Sequence, residues 1–412
     1  MKAIDKRIFG IVVVSILTLL LMIGMILKLK TFWSSKENFM EANLFVDDLG
    51  HDRGPAYDPE QVRDYETYFM DKEKIEDIRI HAYKVKNQSS WAELGLYKYD
   101  TKNSTVSKKS MPINRIKFSS ERRKQFQVSY ESVGKPCVIT NAADAWPASR
   151  LWSFEYMNDV YGDCKFVVDG EQNEMKFKYW YYYAKHPKHR RDDDPIYIFD
   201  QRFYERKRTY KLLKDYKVPS WFKEDDLSIL PESMRPPYIW ILMGIPRSGS
   251  SLHVDPLGTH AWNTLIIGKK RWVLFPPETK FTEEEQNLSG HRWFNEILPK
   301  HDHLKHYDFI QARGETLFLP ANWWHVTLVI EDSICITQNY INKSNRQNAK
   351  KQIMKERPKV HRYWMNAIGE SIPKEQIYLR EDVYDSTESE MESDDEDEDE
   401  DVDVEVANAN VI

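Results

Sequence analysis

Eight short runs of β-branched and aromatic residues punctuate the chain between Val138 and Ile341, and several of them stop at proline or glycine. They are Val138–Ala148 (a strand and then a turn), Tyr197–Asp200, Tyr238–Ile245, Thr264–Gly268, Arg271–Pro277, Thr316–Pro320, His325–Ile330 and Ser333–Ile341. Runs this short, closed by turn residues, predict an antiparallel sandwich or barrel. The absence of any internal repeat removes solenoids and propellers. Two basic segments between and after the strands read as helices: Phe203–Phe222, ending near Pro219, and Asn345 to about Ile368. The expected fold class is therefore an all-β core with flanking helices.

With 41% apolar and 13% aromatic residues, the chain can fill a large core, so wholesale disorder is excluded. Three scattered cysteines, Cys137, Cys164 and Cys335, supply neither a disulfide framework nor a thiolate zinc site. The formal charge of −6 conceals two regions of opposite sign. Glu381–Glu405 holds sixteen acidic residues and no basic one follows Arg380, which leaves residues 1–380 at +10. Such a tail cannot bury enough apolar surface to offset chain entropy, and it is expected to be a disordered solvating extension.

Ile8–Leu27 is twenty residues without a charge or a proline, flanked by Lys6, Arg7, Lys28 and Lys30. A helix of that length spans the roughly 30 Å of a bilayer's hydrocarbon core, so it reads as an uncleaved single-pass membrane anchor. Basic residues at both ends leave orientation to weaker signals. Sequons at Asn87, Asn103, Asn287 and Asn342 favour a body in the lumen of the endoplasmic reticulum or secretory pathway.

The chemistry-bearing segment is SSLHVDPLGTHAWNTLIIGKKRWVLFPP. On an extended chain, His253 and Asp255 project to the same side. His325 stands seventy residues after Asp255, at the start of another apolar run. Two imidazoles and a carboxylate can hold one face of a metal and leave the other open, as non-haem Fe(II) oxygenases require. Zinc accepts the same donors.

The stretches DDPIYIFD, YKVPSWF, RPPYIWILMGIPRSGSSLHVDPLGTHAWNTLIIGKKRWVLFP, GETLFLPANWWH and ITQNY together resemble the JmjC oxygenases of the cupin fold. The subgroup most similar is that of the phosphatidylserine-receptor-like lysyl hydroxylases and arginine demethylases. The resemblance covers roughly Ile113–Ile341. It implies a double-stranded β-helix, with Fe(II) as cofactor and 2-oxoglutarate as co-substrate. His253, Asp255 and His325 match the iron ligands. Lys270, Thr337 and Tyr197 match residues around the distal carboxylate of 2-oxoglutarate, and Asn263 and Ser250 match further co-substrate neighbours. Ser250 keeps the hydroxyl of the family's threonine without its methyl group.

The chain then divides into an anchor (1–30), a stalk and peripheral segment (31–110), an oxygenase domain (111–345), a helical element (346–380) and the acidic tail (381–412). The implied reaction oxidatively decarboxylates 2-oxoglutarate to succinate while hydroxylating a protein side chain, with lysine the first candidate. N-methyl arginine or lysine demethylation uses the same chemistry. A non-catalytic, membrane-displayed binding module is the rival from another class. The basic segments Lys185–Arg191 and Arg206–Lys217 could receive an acidic surface or nucleic acid, or simply stay solvated.

Overall fold

The computed structural model describes residues 94–98, 106–168, 173–186 and 189–369. The apolar stretch Ile8–Leu27, most of the segment 31–110 and the acidic run lie outside them. Among the described residues no helix is long and apolar enough to cross a membrane.

Ten strands are described: β1 (Arg115–Lys117), β2 (Cys137–Thr140), β3 (Lys165–Val167), β4 (Glu174–Lys176), β5 (Ile198–Asp200), β6 (Ile239–Gly244), β7 (His260–Phe275), β8 (Tyr307–Ala312), β9 (Thr316–Leu319) and β10 (Trp324–Tyr340). β3 and β4 pair as a separate ribbon. The other eight form one connected sheet in the order β1-β2-β9-β7-β10-β6-β5, with β8 on β7. Its pairings are antiparallel except β1 with β2.

Two pairs of runs that read as separate strands are each one long strand. Thr264–Gly268 and Arg271–Pro277 merge in β7, and His325–Ile330 and Ser333–Ile341 merge in β10. Gly268 bends β7 instead of ending it. Its φ is +85°, and a Cβ there would stand 2.3 Å from the carbonyl oxygen of Asp332, so only glycine fits without strain. The β7–β10 register shifts opposite this bend, between Val329 and Cys335.

Because both strands bend, the ladder wraps round a central space. The first half of β7 pairs with β9 and the second half of β10; its second half pairs with β8 and the first half of β10. Arg247–His253 then runs beside β10. Arg247 N–H donates to Val329 O (3.0 Å), Val329 N–H to Ser248 O (2.8 Å) and His253 N–H to His325 O (3.0 Å). This is a cupin-type jelly roll.

Strand alternation assigns the two surfaces. Along β10, Val326, Leu328 and Ile330 pack outward under α1 (Gly290–Glu296), whose Trp293 meets Phe275 with ring centroids 6.0 Å apart. His325, Thr327, Cys335, Thr337 and Asn339 alternate with these and with Ile334, Ile336 and Tyr340, which join an aromatic core around Trp221, Trp262, Phe222 and Phe318. α2 (Arg346–Glu356) and α3 (Pro358–Ala367) cover the loop after Asp255: Ala349, Ile353 and Trp364 cluster with Leu257.

The expected helix over Phe203–Phe222 does not form. The segment makes two 3-10 turns, Thr209–Lys214 and Ser220–Phe222. Its buried residues, Phe203, Leu212, Tyr216, Trp221 and Phe222, follow no single helical stripe, so a regular helix could not have buried them together.

Candidate functional site

His253 and His325 are brought together by the backbone before their rings meet. The two residues form an isolated antiparallel bridge, with His325 N–H donating back to His253 O at 2.9 Å. His253 is therefore fastened to β10 without belonging to a regular strand. Asp255 follows in extended conformation and precedes the turn Pro256–Gly258. That turn is held from behind, where Asn345 Nδ2 donates to Gly258 O at 3.0 Å.

The result is a compact donor cluster. Asp255 Oδ1 lies 3.8 Å from His253 Nε2 and 3.7 Å from His325 Nε2, and one donor atom from each residue falls within 4.8 Å of the others. Each imidazole has its other nitrogen engaged: Nδ1–H of His253 donates to Ser251 O (2.8 Å) and Nδ1–H of His325 to Trp323 O (3.1 Å). A carbonyl only accepts, so in a neutral ring Nε2 is the nitrogen left with a lone pair, and both Nε2 atoms lie beside Asp255 Oδ1. Burial pushes the Asp255 carboxyl up, against the pull of His253. Burial holds His325 well below the usual histidine range, and His253 and Lys270 add to this. A neutral imidazole is the ligating form. Geometry, tautomer and charge all fit a divalent metal ion.

The triad opens onto a cavity of about 180 Å³. All eight candidate residues line it: Tyr197, Ser250, His253, Asp255, Asn263, Lys270, His325 and Thr337. Lys270 is 1% exposed, and its ammonium donates to Tyr197 Oη (2.9 Å) and Cys335 Sγ (3.7 Å), both uncharged groups. Among the described residues no carboxylate lies within 4.0 Å of it. Burial lowers its pKa, as expected for an ammonium without a counter-ion. Asn263 Oδ1 is buried there without a partner. A buried cation without a carboxylate partner is the mark of a site built for an anionic guest.

Two candidates are engaged elsewhere as well. Thr337 Oγ1 donates to Trp262 O (2.9 Å), and Ser250 pairs through its hydroxyl with Thr327 Oγ1 (2.9 Å). Thr327, Trp272, Gln201 and Cys335 are site residues that the sequence reading passed over. Thr327 was within reach of alternation from His325. Cys335 was within the same reach, two residues before Thr337 on the same strand.

Comparison with known proteins agrees with this geometry. Residues 123–347 match the family described as cupin-like domain. The chain is 35% identical to the bifunctional arginine demethylase and lysyl-hydroxylase psr-1 of Caenorhabditis elegans over 280 residues, 64% of this chain and 69% of that one. It is 37% identical to the lysine-specific demethylase JMJ21 of Arabidopsis thaliana, covering 54% of this chain and 24% of the relative. To the 2-oxoglutarate and iron-dependent oxygenase JMJD4 of Mus musculus it is 26% identical, over 52% of this chain and 57% of the relative.

Proposed function

The chain belongs to the cupin-like family of JmjC type, and on that premise we propose that it is an Fe(II)- and 2-oxoglutarate-dependent oxygenase that hydroxylates a protein side chain. One observation carries the reading: a two-histidine, one-carboxylate cluster and a buried lysine without a carboxylate partner line the same cavity. In this reading His253, Asp255 and His325 hold the iron, and Lys270 and Tyr197 take the distal carboxylate of 2-oxoglutarate, with Thr337, Asn263 and Ser250 beside it. When bound, the metal activates O2 for oxidative decarboxylation of the co-substrate and oxygen transfer to a C–H bond. The protein's own part is orientation and exclusion of water. The Ser251 and Trp323 carbonyls fix the two rings. The Lys270 ammonium, already stripped of water, is worth more to an incoming carboxylate than an exposed one. The full chain supplied with Fe(II), 2-oxoglutarate and O2 is expected to release succinate, and His253→Ala to abolish the release. Equal turnover by the two proteins would sink the assignment.

Lysine is the proposed substrate side chain. The names of psr-1 and JMJ21 favour a second reading, N-methyl demethylation, in which the hydroxylated carbon sits on nitrogen and leaves as formaldehyde. Peptides bearing lysine or N-methylarginine separate the two: a mass gain of one oxygen marks the first, formaldehyde the second.

Ile8–Leu27 is proposed as a membrane anchor with the catalytic body in a secretory lumen. Asn287 supports this by being exposed, whereas Asn342 is buried and donates its amide to Glu131 (2.8 Å), unsuited to carry a glycan. A glycosidase-sensitive mass shift lost in Asn287→Gln is expected. Its absence from the parent chain would count against a glycan at this position and remove that support for the lumenal body.

A further inference from the structure

We infer that Cys335 is a positioning residue for the co-substrate: one sulfur holds the Lys270 ammonium, the Tyr197 hydroxyl and the Asn263 amide in the arrangement that receives a dicarboxylate. The inference rests on the 2-oxoglutarate reading above.

The sulfur is a common neighbour. Cys335 is fully buried on β10, across from Leu265 of β7. Lys270 Nζ donates to Sγ at 3.7 Å, Tyr197 Oη accepts from the same ammonium at 2.9 Å, and Asn263 lies beside the sulfur on the paired strand. Asn263 Oδ1 has no partner among the described residues, so the sulfur is the polar neighbour left to orient the amide. Burial pushes the thiol pKa up and keeps it protonated. A protonated thiol suits the position because it is neutral, a weak donor and a weak acceptor. A carboxylate there would neutralise Lys270 and compete with the ligand. An alanine would leave an ammonium and an amide without a shared anchor. The thiol fixes their geometry and spares the charge for the incoming diacid.

The test compares the full chain with Cys335→Val, similar in size and without polarity, and Cys335→Ser, which keeps a donor and an acceptor. Each is loaded with Mn(II) and titrated calorimetrically with 2-oxoglutarate. Loss of a hydrogen-bond anchor predicts about 5- to 10-fold weaker binding for Cys335→Val, and Cys335→Ser within about 2-fold of the parent. Mn(II) affinity, followed by paramagnetic resonance, stays at the parent's value in both. Parent-like binding by Cys335→Val overturns the inference, as does a serine variant as weak as the valine one. If the parent binds no 2-oxoglutarate, the co-substrate reading falls and this inference with it. If the parent binds and Cys335→Val equals it, only the role of the thiol is lost.

Discussion

Lys270 carries the tension of the site. A buried ammonium whose hydrogen bonds among the described residues go to a phenol and a thiol, with the Trp272 ring 5.1 Å away, costs folding energy that a bound dicarboxylate would return. Function and stability therefore respond oppositely to its removal. Lys270→Met is expected to weaken 2-oxoglutarate binding roughly 10- to 150-fold, as loss of a charge-assisted hydrogen bond implies. The same variant should unfold at an equal or higher temperature than the parent without ligand. Calorimetric titration and thermal denaturation read the two effects separately, and unchanged affinity would remove Lys270 from the binding site. Tyr197 depends on a different kind of fit. A Cβ on Gly244 would come within 2.7 Å of its ring, so Gly244→Ala is expected to displace the phenol and weaken 2-oxoglutarate binding on the same calorimetric scale.

Among the elements, β7 shows how a single bend builds the cavity. Asn263 and Lys270 are seven positions apart, so strict alternation would put them on opposite faces. The irregularity at Gly268 shifts the parity, and both line the cavity while Lys269 stays outside, paired with Glu331 at 2.7 Å. Gly268→Ala is expected to cost about 2–4 kcal/mol, combining a left-handed φ with overlap on the Asp332 carbonyl. Gly314→Ala, also at positive φ but with nothing within 4 Å of the added carbon, should cost only about 1 kcal/mol. Urea denaturation of the two variants checks the difference, and equal losses would mean that the bend tolerates a side chain.

For the molecule as a whole, burial of histidines outside the metal cluster ties stability to pH. His291 is lowered to about 4 and His260 to about 3, in each case chiefly by burial. The folded state binds these protons less readily than the unfolded chain. Their contribution is complete above about pH 6.5 and is lost as pH falls towards 4, by up to ~1.4 kcal/mol per pH unit for each. Buried carboxyls such as Glu131 and Asp225, raised by burial, act in the opposite direction. The informative comparison is therefore between the parent and His291→Gln, whose unfolding free energy should vary less steeply between pH 6.5 and 4. Identical slopes would show that His291 is not held neutral. His291 also ties a remote segment to the barrel, since its Nε2 lies 3.2 Å from Leu96 O.

Local sequence was enough for the barrel class and for the ligand types. Short β-branched and aromatic runs closed by proline and glycine point to a sheet, and the motifs around His253 and His325 named the candidate donors. The helix expected over Phe203–Phe222 failed because basic composition says nothing about which residues a neighbouring core will draw in. Only the tertiary structure decided which residues share the cavity. The bend in β7 resets side-chain parity, and contacts across more than sixty residues bring Cys335 to Lys270 and Asn263. A linear pattern records alternation within a strand; it holds no information on where a ladder shifts register, because that is set by how the two halves of the barrel close on one another.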